Sequence, residues 1–280
     1  MSLESLKFAV IGHPVAHSLS PRMHAANFRA LGLVADYGAV DVEPGTVPEA
    51  LARFRDEGYR GINVTVPHKV AVKNCMTRLD ATAQRADAVN TVRFEADGSM
   101  TGFNTDMAGF RQPLDARGFP WSDARVILLG AGGAARAVAA ACLDAGCAAL
   151  WLANRTPEKA VALSEALADA RVTACSIGDL LAAGARPWSV AGSPVLIVNA
   201  TTVGLKPEDE SVLPVHVFGP GQLVYDLIPV ARETATRVAA RLQGAETLDG
   251  LGMLVAQAAE SFRIWTGRAA DLSVMRAALV

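Results

Sequence analysis

The stretch that decides the fold is Arg125 to Leu129 (RVILL), followed by Gly130-Ala131-Gly132-Gly133-Ala134-Ala135 and then Arg136 to Ala141 (RAVAAA). Five apolar residues rich in branched side chains read as a buried strand, and the Ala-rich run after the glycines reads as a helix. Between them the spacing is G-x-G-x-x-A, the dinucleotide fingerprint in its required strand-turn-helix setting. Gly130 permits the tight turn, Gly132 with Gly133 lets backbone N–H groups approach a pyrophosphate, and the small Ala135 lets helix pack on strand. The unpaired N–H groups and positive dipole end of the helix then face the anion.

The next strand, ending in Ala153-Asn154-Arg155-Thr156-Pro157-Glu158-Lys159, identifies which dinucleotide. A site for NAD ends this strand with an acidic residue that takes the ribose 2′-hydroxyl and repels a 2′-phosphate. Here the position is Asn154, with Arg155 and Lys159 as cations beside it, so the expected cofactor is NADP. Cations at a helix start oppose its dipole, which an anionic ligand offsets.

Outward from this core, short β-branched runs alternate with longer helical stretches, the pattern of an α/β protein. Strands are expected at Lys7 to Ile11, Asp36 to Val42, Gly61 to Val66, Thr91 to Phe94, Arg125 to Leu129, Ala149 to Ala153, Val195 to Asn199 and Leu223 to Asp226. Helices are expected at Pro21 to Leu31, Thr46 to Glu57, Ala134 to Ala145, Pro157 to Leu167 and Ala231 to Leu242. The Gly- and Pro-containing run ARGFPWSD marks a boundary, giving an α/β domain over residues 1–114 and a Rossmann-type domain over 115–246. Residues 247–280 form an apolar helical segment expected to pack back on the first domain.

The 280 residues are 51% hydrophobic, enough for two cores, and disorder is excluded. A net charge of -2 offers no basic surplus for nucleic acid. Mean hydropathy is +0.25, yet charges, Gly or Pro interrupt every apolar run before the ~20 residues that a membrane span requires. The N-terminal MSLESLKFAVIG has no basic n-region or long apolar h-region, so a cytoplasmic location is expected. Cys75, Cys142, Cys147 and Cys175 form no CxxC pair and no metal-type spacing with the five histidines, so they read as reduced core residues and no metal is expected.

The first domain carries the polar clusters. In Gly61 to Lys69 (GINVTVPHK) strand alternation would put Asn63 and Thr65 on one face, with Lys69 just beyond Pro67. Ala88 to Val92 (AVNTV), Gly102 to Asp106 (GFNTD) and Ser18-Leu19-Ser20-Pro21 add amides, hydroxyls and a carboxylate. Taken singly these suit turns and caps; together they suit a polyhydroxylated small molecule.

In order along the chain, SLSP, NVTVPHK, AVNTV, NTD, GAGGAARA, NRT, NAT-x-x-G, YDL and DGLGMLVAQA make the sequence resemble the shikimate dehydrogenase family. The resemblance implies an active site in a cleft between the two domains, with closure on binding, and NADPH-dependent, reversible reduction of 3-dehydroshikimate to shikimate. It implies Lys69 and Asp106 as the catalytic pair, Lys69 for acid/base work and Asp106 to hold it and bond the reacting hydroxyl. It further implies Ser18 and Ser20 at the substrate carboxylate, and Asn63, Thr65, Asn90 and Gln257 at or behind the ring hydroxyls. Cofactor contacts implied by the match are Gly130, Ala131, Gly132, Gly133, Ala134, Asn154, Arg155, Thr156, Lys159 and Leu227, with Thr201 and Gly250 on the nicotinamide side. A monomer or homodimer is expected.

Three positions depart from the family pattern. Pro229 stands where a second Tyr after YDL helps hold the carboxylate, Asp87 where Gly often precedes AVNTV, and Met107 where Gly usually follows NTD. They bear on the substrate: a paralogue acting on quinate or aminoshikimate is the nearest alternative. A non-catalytic metabolite sensor on the same fold is a second, against which Lys69 and Asp106 both argue.

Overall fold

A computed structural model of the chain describes residues 5–182 and 192–279. Residues 1–4, part of the N-terminal stretch read above, lie outside them. In chain order the first elements are β1 (Leu6–Gly12), α1 (Ser20–Ala30), β2 (Ala35–Asp41), α2 (Val47–Asp56), β3 (Tyr59–Val64), α3 (Lys69–Lys73), β4 (Arg78–Leu79), α4 (Ala81–Ala86), β5 (Thr91–Phe94), β6 (Met100–Phe103) and α5 (Asp106–Asp115). There follow β7 (Arg125–Leu129), α6 (Gly133–Asp144), β8 (Ala149–Asn154), α7 (Pro157–Leu167), β9 (Val172–Ser176), α8 (Ile177–Ala182), β10 (Val195–Asn199), β11 (Gln222–Asp226), α9 (Ala235–Leu242), β12 (Glu246–Leu248), α10 (Gly250–Thr266) and α11 (Leu272–Ala277).

The chain forms two compact units, Met1–Gly109 with Val255–Val280, and Phe110–Leu254. It passes from one to the other inside α5 and α10, whereas the sequence reading cut at 114/115 and 246/247. Phe110 explains the first difference: its ring is wholly buried and stacks on Tyr225 of the second unit at 5.4 Å.

In the second unit all six strands are parallel, in the order β12-β11-β10-β7-β8-β9. This is the doubly wound dinucleotide-binding order, with connections running opposite ways from the adjacent strands β7 and β10. β7 and β10 read RVILL and VLIVN because both faces of a parallel sheet are covered; every residue of β10 is buried.

The first unit's sheet is mixed, ordered β2-β1-β3-β5-β6-β4. β1, β2 and β3 run parallel, then β3, β5 and β6 pair antiparallel. The β5–β6 hairpin turns at Asp97-Gly98, with Glu95 N–H bonded to Ser99 O at 2.9 Å. β3 ends two residues short of the expected Val66. Thr65 N–H still reaches Ile11 O at 2.8 Å, but Pro67 has no N–H to continue the ladder. The helix expected from Ala231 starts at Ala235, because the Thr234 hydroxyl caps it by accepting from Arg237 N–H. The short elements β4, β6, β9, β12, α3, α4 and α8 carry too few residues to show a period. Cys142 and Cys147 are buried, Cys75 and Cys175 half-buried, all free thiols.

One face of the first sheet is closed by aromatic rings. Phe8 stacks on Phe28 and Trp265, and His24 lies flat on Tyr37 with ring centroids 4.3 Å apart and planes 7° off parallel. Trp265 is aimed by its indole N–H, which donates to Val92 O at 2.9 Å. His24 is fully buried and neither ring nitrogen has a hydrogen-bond partner among the described residues. Burial drives its pKa down from 6.5 to about 3. The unfolded chain therefore binds a proton below the ordinary histidine pKa that the folded chain refuses, and stability falls as pH drops from there toward about 3. Phe at this position keeps the stack and removes the proton site. Urea unfolding at pH 7 and pH 4.5 should show His24→Phe losing about 2 kcal/mol less stability on acidification than the parent, at ~1.4 kcal/mol per pKa unit; equal losses would exclude His24 as an acid-labile point.

Candidate functional site

Lys69 is the first residue of α3. Its approach is fixed on both sides: His68 is buried with Nε2 2.6 Å from Val42 O, and Lys69 O accepts from Val89 N–H at 2.9 Å. The Lys69 Nζ lies 2.5 Å from Asp106 Oδ2, the two side chains 12% and 7% exposed. Asp106 opens α5, where the helix dipole favours a carboxylate.

A desolvated ion pair is maintained only if the remaining polar atoms are also satisfied. Asn90 does this for Asp106. Its Nδ2 donates to Asp106 Oδ1 at 2.8 Å and to Thr105 Oγ1 at 2.9 Å, while its Oδ1 accepts from Thr105 N–H at 2.8 Å and the Thr91 hydroxyl at 3.0 Å. One Asp106 oxygen thus serves the lysine and the other serves the asparagine.

Behind Asn90 lies a buried hydroxyl network. Ser261 Oγ is 2.8 Å from Thr91 Oγ1 and 3.1 Å from Thr105 Oγ1, and it accepts from Asn63 Nδ2 at 2.9 Å. Gln257, one helical turn before Ser261, puts Oε1 3.5 Å from both Asn90 Nδ2 and Thr105 Oγ1. Asn63 Oδ1 takes the Tyr37 hydroxyl at 2.7 Å, and the Ser20 hydroxyl in turn bonds Tyr37. Burial raises the Tyr37 pKa and the Ser20 bond lowers it, leaving it well above the ordinary phenol value.

The predicted residues of this unit divide by role. Asn63 is buried with both ends of its amide committed to protein groups, so it braces the site. Thr65, half-buried and past the end of β3, keeps its hydroxyl without a hydrogen bond among the described residues. The expected shared face for the two does not form, because the strand stops at Val64. Ser18 Oγ accepts from Ser20 N–H at 3.3 Å at the start of α1. The loop before it is held by Asp41, which bonds His13 Nδ1 at 2.8 Å and Val15 N–H at 3.1 Å.

In the second unit Gly130 has φ +110, and a Cβ there would sit 2.9 Å from Ala200 O. Only glycine lets the turn after β7 pass so close to the loop after β10. Gly132 is the N-cap of α6, with open space where a side chain would stand. No side chain caps α6 and no acidic residue occupies its first turn, while Ala131, Gly133 and Ala134 are half-buried around that end. Ala135 is wholly buried, as helix-on-strand packing requires. Asn154 closes β8 and donates to Thr156 O at 2.9 Å, holding the turn. Arg155, Thr156 and Lys159 are exposed, and neither cation forms an ion pair among the described residues.

Thr201 follows β10 beside Gly130. Its hydroxyl donates to Asn199 Oδ1 at 2.7 Å and accepts from Val203 N–H at 3.0 Å, so the hydroxyl is committed to the protein and the methyl is not. Asn199 Nδ2 donates to Asp226 Oδ1 at 2.9 Å, and Leu227 N–H donates to Asn199 O at 3.1 Å. A Cβ on Gly250 would lie 2.4 Å from Leu227 O, so the start of α10 packs directly on that backbone. Burial pushes the Asp226 carboxyl up, against Thr234, Ile228 and Asn199 as donors that pull it down.

Tyr37, Thr91, Thr105 and Ser261 in the first unit, and Asn199 and Asp226 in the second, were not singled out from sequence. Ser261 had a signal, since Gln257 and Ser261 at i,i+4 share a helix face. Thr91, Thr105, Asn199 and Asp226 sit inside quoted motifs. Tyr37 had none beyond its inward alternation on β2. Asp87 has φ +51, a left-handed position that favours Gly, and its carboxylate accepts from Lys73 Nζ at 2.6 Å. Half-buried Met107 follows the pair directly, and Pro229 offers no donor.

Three matches place these two units among known proteins. The shikimate dehydrogenase substrate binding domain matches residues 10–92, a shikimate / quinate 5-dehydrogenase family matches residues 114–186, and the shikimate 5′-dehydrogenase C-terminal domain matches residues 250–280. A shikimate dehydrogenase (NADP(+)) of Moorella thermoacetica is 47% identical over 268 residues, 95% of this chain and 90% of that one. The crystal structure of shikimate 5-dehydrogenase from Thermus thermophilus in complex with NADP(H) and shikimate is 40% identical, covers 98% of each chain and superposes with a TM-score of 0.84. Quinate dehydrogenase from Corynebacterium glutamicum in complex with NAD is 30% identical, covers 98% of each chain and has a TM-score of 0.85.

The Asn90 brace is open to a direct test. Asn90→Leu, close in shape, strips a donor from Asp106 and an acceptor from Thr105 N–H in a buried setting, and should cost roughly 3 kcal/mol in urea unfolding at ~1–3 kcal/mol per orphaned group. A loss within measurement error would show that the amide is dispensable to the pair.

Proposed function

The chain belongs to the shikimate dehydrogenase family, and from that premise we propose that it catalyses the reversible, NADP-dependent reduction of 3-dehydroshikimate to shikimate. The observation that carries the reading is the Lys69–Asp106 pair, desolvated, braced by Asn90 and still 12% exposed at the lysine. An ammonium held this way serves as a proton donor or acceptor at one point in space.

The cofactor reading rests on the second unit. Gly130 to Ala134 and the uncapped start of α6 suit a pyrophosphate, and Asn154, Arg155, Thr156 and Lys159 suit a 2′-phosphate where a carboxylate would repel it. Thr201, Leu227 and Gly250 suit the nicotinamide end. NADPH, when bound, supplies the hydride that reduces the ring carbonyl carbon.

The remaining steps belong to the chain. Ser18, Ser20 and the free Thr65 hydroxyl bind the carboxylate and a ring hydroxyl, and Gln257 bonds another. As the carbonyl oxygen gains negative charge, Lys69 Nζ gives it a proton and becomes a neutral amine, which its exposed edge lets water reprotonate. Asp106 Oδ2 keeps Nζ aimed at that oxygen throughout, because Oδ1 is tied to Asn90. In the oxidation direction the neutral amine takes the proton from the hydroxyl. The same reading gives a cytoplasmic enzyme, a monomer or homodimer.

Two substitutions separate chemistry from binding. Lys69→Ala should lower kcat by about 10²- to 10⁴-fold with the KM for shikimate nearly unchanged; near-parental turnover would remove Lys69 from the mechanism. Arg155→Asp should raise the KM for NADPH far more than that for NADH, and equal increases would contradict a 2′-phosphate site at this turn. Rates with shikimate and quinate, each with NADP and NAD, decide the substrate: shikimate with NADP is expected to be fastest, and quinate with NAD ahead of it would make the chain a quinate dehydrogenase.

A further inference from the structure

Asn199 is 1% exposed and uses its amide to the full. Its Oδ1 accepts from Thr201 N–H at 3.1 Å and from the Thr201 hydroxyl at 2.7 Å, while Nδ2 donates to Val203 O and Asp226 Oδ1, both at 2.9 Å. The loop from Ala200 to Val203 is thus folded around a single amide group.

Asp226 is the other half of the arrangement. It is the last residue of β11 and the in-register neighbour of Asn199, last of β10. It is wholly buried and forms no ion pair among the described residues. Oδ1 accepts from Asn199 Nδ2 and, at 3.3 Å, from Ile228 N–H; Oδ2 accepts from the Thr234 hydroxyl. All three donors belong to the ends of β10 and β11 or to the loop after β11. Arg237 is near enough to pull the Asp226 pKa down but forms no ion pair with it, so the carboxylate keeps much of its desolvation cost, which an apolar residue in the same space would not carry.

The place in the fold gives it a use. β7 and β10 are adjacent with connections leaving in opposite directions, and in such sheets the dinucleotide lies beyond the strand ends at that point. A Cβ on Gly130 would meet Ala200 O at 2.9 Å and Thr201 Cγ2 at 3.4 Å, so the loop that Asn199 folds forms one edge of that crevice. We propose that Asn199 and Asp226 act as a clamp that positions Thr201 against the dinucleotide, so that cofactor affinity depends on the amide-to-carboxylate bond although neither residue touches the cofactor. The proposal rests on the reading that this sheet edge binds NADPH. Asn199 is a positioning residue acting through Thr201, and Asp226 acts through Asn199.

The chemistry of the bond sets the experiment. Asn199→Asp keeps the acceptor toward Thr201 but points a second carboxylate at Asp226 Oδ1 and Val203 O. Asp226→Asn in that background restores a donor between the two side chains. NADPH and shikimate dissociation constants are measured separately by titration calorimetry, well below the unfolding temperature of each variant. Asn199→Asp should weaken NADPH at least about tenfold and leave shikimate binding unchanged, and the double variant should recover most of the loss, a non-additivity that general damage does not produce. Thr201→Val, which removes only the hydroxyl link, should weaken NADPH a few-fold and covers the case in which Asn199→Asp does not fold.

If the parent chain fails to bind NADPH, the reading of the sheet edge falls and the clamp with it. If the parent binds NADPH while Asn199→Asp binds it equally well, or the double variant is no better than Asn199→Asp, or Thr201→Val is unchanged, the clamp alone is overturned.

Discussion

A lysine ammonium and an aspartate carboxylate 2.5 Å apart, nearly out of water, impose conditions that much of the first unit meets. Each charge loses hydration, and their attraction compensates only when every remaining polar atom has a partner. Asn90 partners the second carboxylate oxygen, Thr105 and Thr91 fix the orientation of Asn90, and Ser261 joins those hydroxyls to Asn63 and, through it, to Tyr37 and Ser20. β3, β5 and α10 are brought together at this network. The mixed sheet supplies the rigidity: β5 lies between β3 and β6, so Asn63, Asn90 and the turn carrying Thr105 and Asp106 start from hydrogen-bonded neighbours. Lys69 enters from a loop, yet His68 and the Lys69 carbonyl both anchor it to buried backbone.

What could be read in advance follows the range of the interactions. The dinucleotide fingerprint is local: strand, turn and helix lie within about twenty residues, and each glycine has one steric reason to be there. Gly130, Gly132 and the start of α6 stand as the spacing requires. The parallel strands were legible for the same reason, since burial on both faces forces long apolar runs. The bonds that organise the candidate active site span large separations, 37 residues for Lys69 to Asp106 and 198 for Asn63 to Ser261. No periodicity links such positions, and the pairing of Lys69 with Asp106 came from resemblance to a family. Asn63 and Thr65 show the limit of local pattern: alternation predicted one face, and Pro67 stopped the ladder before Thr65 could share it.

The departures from the family pattern also have physical readings. Asp87 keeps a left-handed backbone in place of Gly and pairs with Lys73, so its charge is directed at a neighbouring helix. Pro229, in the loop after β11, offers no side-chain donor where the family pattern has a Tyr hydroxyl. Met107 adds a flexible apolar chain directly after Asp106.

In the proposed reaction Asp106, immobilised by Asn90, aims Lys69 at the reacting oxygen of the substrate. The most direct test is a crystal structure of the chain with shikimate bound. The hydroxyl that becomes the carbonyl is expected within about 3 Å of Lys69 Nζ, with the Lys69–Asp106 and Asn90–Asp106 bonds both intact. Shikimate bound with that hydroxyl directed away from an undisturbed Lys69–Asp106 pair would contradict it.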